Sequence, residues 1–311
     1  MAENRVYYGG QAVIEGVMIR GPKTFAVACR APDGEIVTRR EDLGGAYSGP
    51  IRRIPFVRGM IVLWETLALG IRALNFSSNV ALGEDEEEIS STTMWLMAIF
   101  TLSIVAVIFF AGPLFLADWL HGFIGNDLLV IVVEGLIRLA IVVAYVGGIG
   151  LLPDIRRVYA YHGAEHKTIH ALEHGDPLVP EAIQKYSPAH VRCGTSFILT
   201  IVVVSIVVFA AVGNPDLWIR VVSRIVLIPV IAGVAYEGIR LGGAFESNPV
   251  TKVLMWPNLA LQVLTTRQPD DAQVEVAVAA LREVLEAEGI EPVPVSSTAE
   301  EPSAEAAPGA S

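Results

Sequence analysis

Charge and cysteine are both scarce in this chain, and each scarcity excludes something. Only 18% of the 311 residues are charged, where an ordinary soluble domain carries about a quarter. Lys and Arg number 22 against 33 Asp and Glu, and no basic stripe occurs, which argues against nucleic acid as a partner. The two cysteines, Cys29 and Cys193, lie far apart and form no CxxC. That excludes a disulfide scaffold and fits a reducing compartment. The opening MAENRVYYGGQAVIEG contains no apolar core of the kind that secretory signals carry, so no signal peptide is expected. Insertion into a membrane would then rely on the first internal span. No internal repeat is visible.

What fills the chain instead is apolar sequence. Hydrophobic residues make up 53%, and the mean hydropathy is +0.52. Four long apolar runs carry most of it: Met94 to Trp119, Leu128 to Leu152, Ser196 to Val212, and Leu217 to Ile239. Each approaches the ~20 residues a helix needs to cross ~30 Å of hydrocarbon. The second run contains Glu134 and Arg138; the fourth contains Arg220, Arg224 and Glu237. Ionisable groups inside a span are functional candidates or interhelical ion pairs, and Arg220 and Arg224 can snorkel or pair with Glu134. The expectation is a mainly α, polytopic membrane bundle with about four transmembrane helices.

Loop charge sets its orientation. Arg39, Arg40, Arg52, Arg53, Arg58 and Arg72 precede the first run, whereas 118–127 has neither Lys nor Arg. Arg156, Arg157, Lys167, Lys185 and Arg192 lie between the second and third runs, 213–216 has none, and Arg240, Lys252 and Arg267 follow the fourth. This alternation predicts an inner (plasma) membrane protein with both termini and the long central loop in the cytoplasm.

Around the spans the sequence divides further. Residues 1–50 read as a small β-rich region: Thr24 to Arg30 suits a strand, Asp33-Gly34 a tight turn, and Glu35 to Arg39 the return strand. Residues 51–93 hold an apolar helix (Pro55 to Leu74), interfacial, re-entrant or a fifth span, and then a polar linker from Asn75 to Thr93. Residues 94–241 form the transmembrane region, with a histidine-rich loop at 153–195. Residues 242–290 form a C-terminal region, irregular over Gly242 to Pro269. Val274, Val278, Leu281 and Leu285 then mark an amphipathic helix over Asp270 to Glu288. The Pro-, Ser- and Glu-rich 291–311 should be disordered, and the acidic run Glu84 to Glu88 solvated.

The chemistry concentrates in one segment. Five of the six histidines lie between His162 and His190, and His162, His166, His170 and His174 recur every fourth residue. On a helix, i and i+4 share a face, the geometry that lets two imidazoles hold one zinc ion. His162-Gly-Ala-Glu165-His166 also fits H-x-x-E-H, in which the two His hold the metal and Glu activates water. Gly175-Asp176-Pro177 should end the helix. At ~1.5 Å per residue, His162 and His170 are ~12 Å apart along the axis and cannot share an ion. The pairs are therefore His162 with His166, His166 with His170, or a dinuclear arrangement. His190 and Cys193 are the nearest further ligands in sequence, with Glu173, Glu15 and Glu246 more remote. His174 can simply be solvated. Zinc is the first choice of ion, with Mn and Fe open. The bland alternative is a solvated histidine face at the membrane surface. The run Gly9 to Met18 reads as a packed β element rather than a phosphate loop, because no lysine follows in place. Cys193 beside His190 can also be read as a nucleophile and base, with no orienting third group in view.

Several strings together resemble the YqhQ family of bacterial multi-pass membrane proteins: YGGQAVIEGVMIRGP (Tyr8–Pro22), NFSS (Asn75–Ser78), YHGAEHKTIH (Tyr161–His170), RCGTSF (Arg192–Phe197) and LTTRQPDD (Leu264–Asp271). They cover nearly the whole chain. That family is of unknown function and is described as predicted metal-dependent enzymes, an inference that rests on the same histidines. Where the family pattern has Cys this chain has Ala171, and where it has Pro this chain has Val191, so position 171 is no essential ligand. Two functions follow as expectations. One is a metal-dependent hydrolase at the cytoplasmic face, with Glu165 as general base and His162, His166, His170, His190 and Cys193 as candidate ligands, acting on a membrane-associated substrate. The other is a non-enzymatic transporter, metal sensor or assembly scaffold, with Glu134, Arg138 and Glu237 along a path. An oligomer is compatible with either.

Overall fold

The computed structural model describes residues 8–44, 54–83, 89–190, 193–213, 215–245 and 248–291. The acidic run 84–88, Arg192, Glu246 and the expected tail beyond Glu291 lie outside them. The described chain is mainly helical, with one small antiparallel sheet at its start.

The sheet has strands β1 (Gly9–Val13), β2 (Gly16–Arg20), β3 (Thr24–Arg30) and β4 (Ile36–Asp42) in sequence order. The hairpin expected at Asp33-Gly34 joins β3 to β4, with Arg30 opposite Ile36. Side chains alternate between the two faces of a strand. Val17, Ile19, Ala26 and Ala28 therefore face one layer, and Met18, Phe25, Val27 and Cys29 the other. Both layers are helical, so β2 and β3 read as continuous apolar runs rather than alternating ones. Helix α1 (Val57–Leu82) covers one face through Leu69 and Ala73.

Helix α1 extends eight residues beyond the expected Leu74, so the first part of the polar linker is helical. Ser77 is fully buried there, and Asn75 and Asn79 both donate to the Ile89 carbonyl. Next comes one long helical rod, α2 (Ser91–Ala106), a π-helical turn (Val107–Ala111) and α3 (Gly112–Ile124). Gly125 and the capping Asn126 turn it back into α4 (Asp127–Ile149). The 34-residue rod and the 23-residue α4 are long and apolar enough to cross a membrane. No residue of α2 is buried against protein.

The count of four spans is not reproduced. Helix α5 (Pro153–His174) and the single turn α6 (Pro180–Ile183) belong to the body around the sheet. The third apolar run forms α7 (Thr195–Val212), shorter than α4. The fourth is broken into α8 (Leu217–Val226) and α9 (Ile228–Ala244), bent by 50°. Among the described residues, two helices thus meet the length and composition of a span, or up to three if the bent pair is one. The break falls where Pro229 enters: a proline lacks the N–H that continues a helix.

The stretch expected to be irregular, 242–269, contains a helix. Asn248 accepts from Val250 N, Pro249 takes the first helical position, and α10 runs Pro249–Thr265 with Pro257 inside it. Helix α11 (Asp271–Glu288) begins with a capping box between Asp270 and Gln273. Its expected apolar positions Val274, Val278, Leu281 and Leu285 are all buried. They pack with α5 on the sheet face opposite α1.

Candidate metal centre

Helix α5 owes its bounds to Pro153 at its first turn and to Gly175, whose left-handed φ of 70° caps its end. It packs beside α11 on the sheet, so Tyr161, Ala164 and Ile169 enter the core. The histidine strip faces elsewhere, toward the loop that follows α6 and the end of α10.

Three backbone carbonyls meet three successive turns of that strip. His162 Nδ1 lies 2.9 Å from the Thr265 carbonyl, His166 Nδ1 2.6 Å from Pro188, and His170 Nε2 3.0 Å from Ala189. A neutral imidazole that donates from one nitrogen carries its lone pair on the other. The contacts therefore assign the tautomers and orient the rings, the device by which metal-ligating histidines are held. Gly163 makes the first contact reachable: a Cβ there would sit 2.1 Å from the Arg267 carbonyl oxygen. The loop is clamped in turn by Gln262 on α10, whose amide accepts from His190 N and donates to His190 O, both at 2.8 Å.

The ligand atoms gather in two groups. In the first, one ligand atom each of His162, His166 and Cys193 lies within 4.8 Å of the other two. His162 Nε2 is 3.2 Å from Cys193 Sγ, and the two rings are 4.4 Å apart. In the second, His170, Glu173 and His190 satisfy the same test. Sequence spacing alone left the pairing of the histidines open; the fold separates His162/His166 from His170.

Glu165 stands beside the first group. Its Oε2 is 3.4 Å from His166 Nε2, and it is 4% exposed. Burial pushes its carboxyl above the ordinary range, opposed by His162, His190 and the Gly10 N–H. Burial also holds the His166 imidazole well below its usual pKa, with neighbouring His162 acting in the same direction. His166 is thus neutral at physiological pH, the state a metal ligand needs. With Nδ1 donating to Pro188, the lone pair of His166 points toward Glu165, an acceptor beside an acceptor. A proton on Glu165 or a cation between them removes that conflict.

Glu165, His166, His190 and Cys193 line a cavity of ≈ 350 Å³ between β1, β2 and α1. Gly10 lets the strand come this close, since a Cβ would lie 2.9 Å from Glu165 Cγ. Across the cavity, Arg20 donates to Glu65 at 2.7 Å, and Glu65 is 2% exposed. Sequence reasoning missed this pair. The available signal was a carboxylate interrupting an apolar helix.

Other candidates fall away from the site. Glu15 takes a bidentate contact from Arg157, with Nε at 2.7 Å, and accepts from Tyr161 OH. Its φ of 50° is forced by the two-residue turn between β1 and β2. His174 is exposed, bonded to the His170 carbonyl, and in neither group. Glu134 bridges Arg138 and Arg224, each at 2.7 Å and all three buried. Arg220 pairs with Asp118, and Glu237 with Arg58.

Fold and site together define a class: a protein with membrane-capable helices, a small α/β body, and a buried His/Cys/Glu cluster facing a cavity. Within that class, the chain belongs to the family described as "Protein of unknown function (DUF1385)", whose model matches residues 54–287. It is 35% identical to "Uncharacterized protein YqhQ" of Bacillus subtilis (strain 168) over 304 residues, covering 91% of this chain and 93% of that protein. No solved structure matches.

Proposed function

We propose that the protein is a polytopic inner-membrane hydrolase with a metal centre at its cytoplasmic face. The carrying observation is the first group: two imidazoles fixed by backbone carbonyls, a cysteine at 3.2 Å, and a buried carboxylate alongside. The donor set of two neutral nitrogens and one sulfur suits zinc and leaves one tetrahedral position for water or substrate. His162, His166 and Cys193 would hold the ion. A bound divalent ion supplies Lewis acidity toward a carbonyl or phosphoryl oxygen and lowers the pKa of water.

The protein's own residues supply the rest. Glu165, whose carboxyl burial raises above the ordinary range, would take the proton from the attacking water at its carboxylate and return it to the leaving group. Gly10 N–H orients that carboxylate. Met18 and Leu69 give the cavity apolar wall, and Arg20 offers a guanidinium to an anionic substrate group. Trp64 and Trp95 stack 6.3 Å apart where α1 meets the start of the rod, as interfacial aromatics do. That stacking supports a cavity near the inner leaflet, within lateral reach of a lipid-linked molecule or a membrane peptide. About four passes, with both termini inside, fit the arginine distribution.

Elemental analysis of detergent-purified protein carrying no polyhistidine tag tests the reading. A tightly held divalent ion is expected in the wild type and in Glu165→Gln, with cellular function lost in the variant by about 10²-fold or more. Metal-free protein with full function would overturn it. One observation favours a second reading: the His162–Cys193 contact also suits a thiol nucleophile and its base, oriented by the Thr265 carbonyl. Rapid alkylation of Cys193 in metal-free, active protein would decide for that. In the non-enzymatic alternative the path residues would be ion-paired, Glu134 with Arg138 and Glu237 with Arg58.

A further inference from the structure

The second group lies one turn farther along the same helix. Ring centroids of His170 and His190 are 4.5 Å apart, and those of His166 and His190 5.7 Å. Glu173 Oε2 is 3.4 Å from His190 Nε2. The Ala189 carbonyl fixes His170 through Nε2, which leaves its lone pair on Nδ1. Pro188 and Ala189 are consecutive, so one extended stretch of loop orients both a first-group and a second-group histidine. The Gln262 clamp on His190 fixes the far end of that stretch.

We propose that His170, Glu173 and His190 form a second divalent-cation site, so that the centre is dinuclear. This deepens the reading above, since both groups share the loop and His190 lines the same cavity. The two sites differ in chemistry. The first is mostly buried and would bind through a thiolate, which favours zinc and slow exchange. The second is a nitrogen–nitrogen–carboxylate set whose Glu173 side chain is 29% exposed, and it accepts zinc or manganese with faster exchange. Paired cations suit hydrolysis of a phosphoester, where one ion polarises the phosphoryl oxygen and the other steadies the leaving oxygen.

Cobalt(II) titration of full-length, detergent-purified, tag-free apoprotein separates the sites. A thiolate-to-cobalt charge-transfer band reports only the first group, because the second has no sulfur. The band should saturate at one equivalent while equilibrium dialysis continues to two. Glu173→Gln and His170→Asn should each bind one equivalent with the band intact, and Cys193→Ser should lose the band yet keep the second ion. Dialysis that stops at one equivalent with the thiolate band present in the wild type overturns the proposal, as do two equivalents in Glu173→Gln. A single bound ion without the thiolate band would instead sink the first site and leave the second standing. No bound ion at all would sink both.

Discussion

A methyl group on Gly163 would meet the Arg267 carbonyl oxygen at 2.1 Å, and one on Gly10 would meet the Met18 carbonyl at 2.3 Å. Neither backbone atom can step aside as a flexible side chain would. Gly163→Ala should therefore cost about 1–3 kcal/mol, the usual range for overpacking, and weaken metal binding by displacing Thr265 from His162. Thermal unfolding and a chelator competition would register the two effects separately. Glu15 makes a different point. The Arg157 guanidinium holds its carboxyl below the usual range, against the opposing effect of burial. A depressed folded pKa stabilises above the ordinary carboxylate pKa, and the contribution is lost as pH falls through the depressed value. Glu15→Gln should lower the melting temperature at pH 7 and flatten its decline toward pH of about 3. An unchanged pH profile in the variant would remove Glu15 from the account.

Helix α10 carries both an exposed apolar face and two contacts to the site. Val250, Val253, Trp256 and Val263 are exposed along one face. From another face, Gln262 clamps His190, and Thr265 at the helix end orients His162. Gln262→Leu should lower metal affinity about 10–100-fold, as loss of an outer-shell partner does, while Gln262→Glu, which still accepts from His190 N, should lose less. Within the helical bundle, Arg138 also donates to the Phe109 carbonyl inside the π-helical turn and to Ser205, and Phe209 lies against both Arg138 and Arg224. Glu134→Gln leaves two buried guanidiniums without their carboxylate and should destabilise by about 3–5 kcal/mol. A melting temperature close to wild type would refute a structural role for the trio.

Across the whole molecule, the body around the sheet sits at the end where the 34-residue rod begins and α4 finishes. The turn between Ile124 and Asp127 lies at the other end. At ~1.5 Å per residue the rod is about 51 Å long, more than the ~30 Å of hydrocarbon requires. A membrane-impermeant thiol reagent on intact cells should label Asp127→Cys and spare Asp154→Cys; the reverse would invert the orientation. Periodicity and capping chemistry made much of this arrangement legible. The β3–β4 hairpin announced itself through Asp33-Gly34, α5 through its four-residue histidine spacing and the Gly175 stop, and α11 through Asp270 and its apolar spacing. Helix α10 was overlooked because Pro257 suggests a break, although Asn248-Pro249 is a legible start. The number of spans was not legible, because an apolar run does not reveal a bend such as the one at Pro229.

By itself the sequence determined the helix that carries the histidines, their common face, and the apolar rods, because these depend on contacts within a few residues. It could name Glu165, His190 and Cys193 but could not say which donors meet. The division into two groups, the carbonyls that orient each imidazole, the Gln262 clamp and the Arg20–Glu65 pair were decided only by the tertiary structure. Those contacts join residues tens to more than a hundred positions apart, and close packing of α5, α10 and the sheet brings them together where no local pattern can.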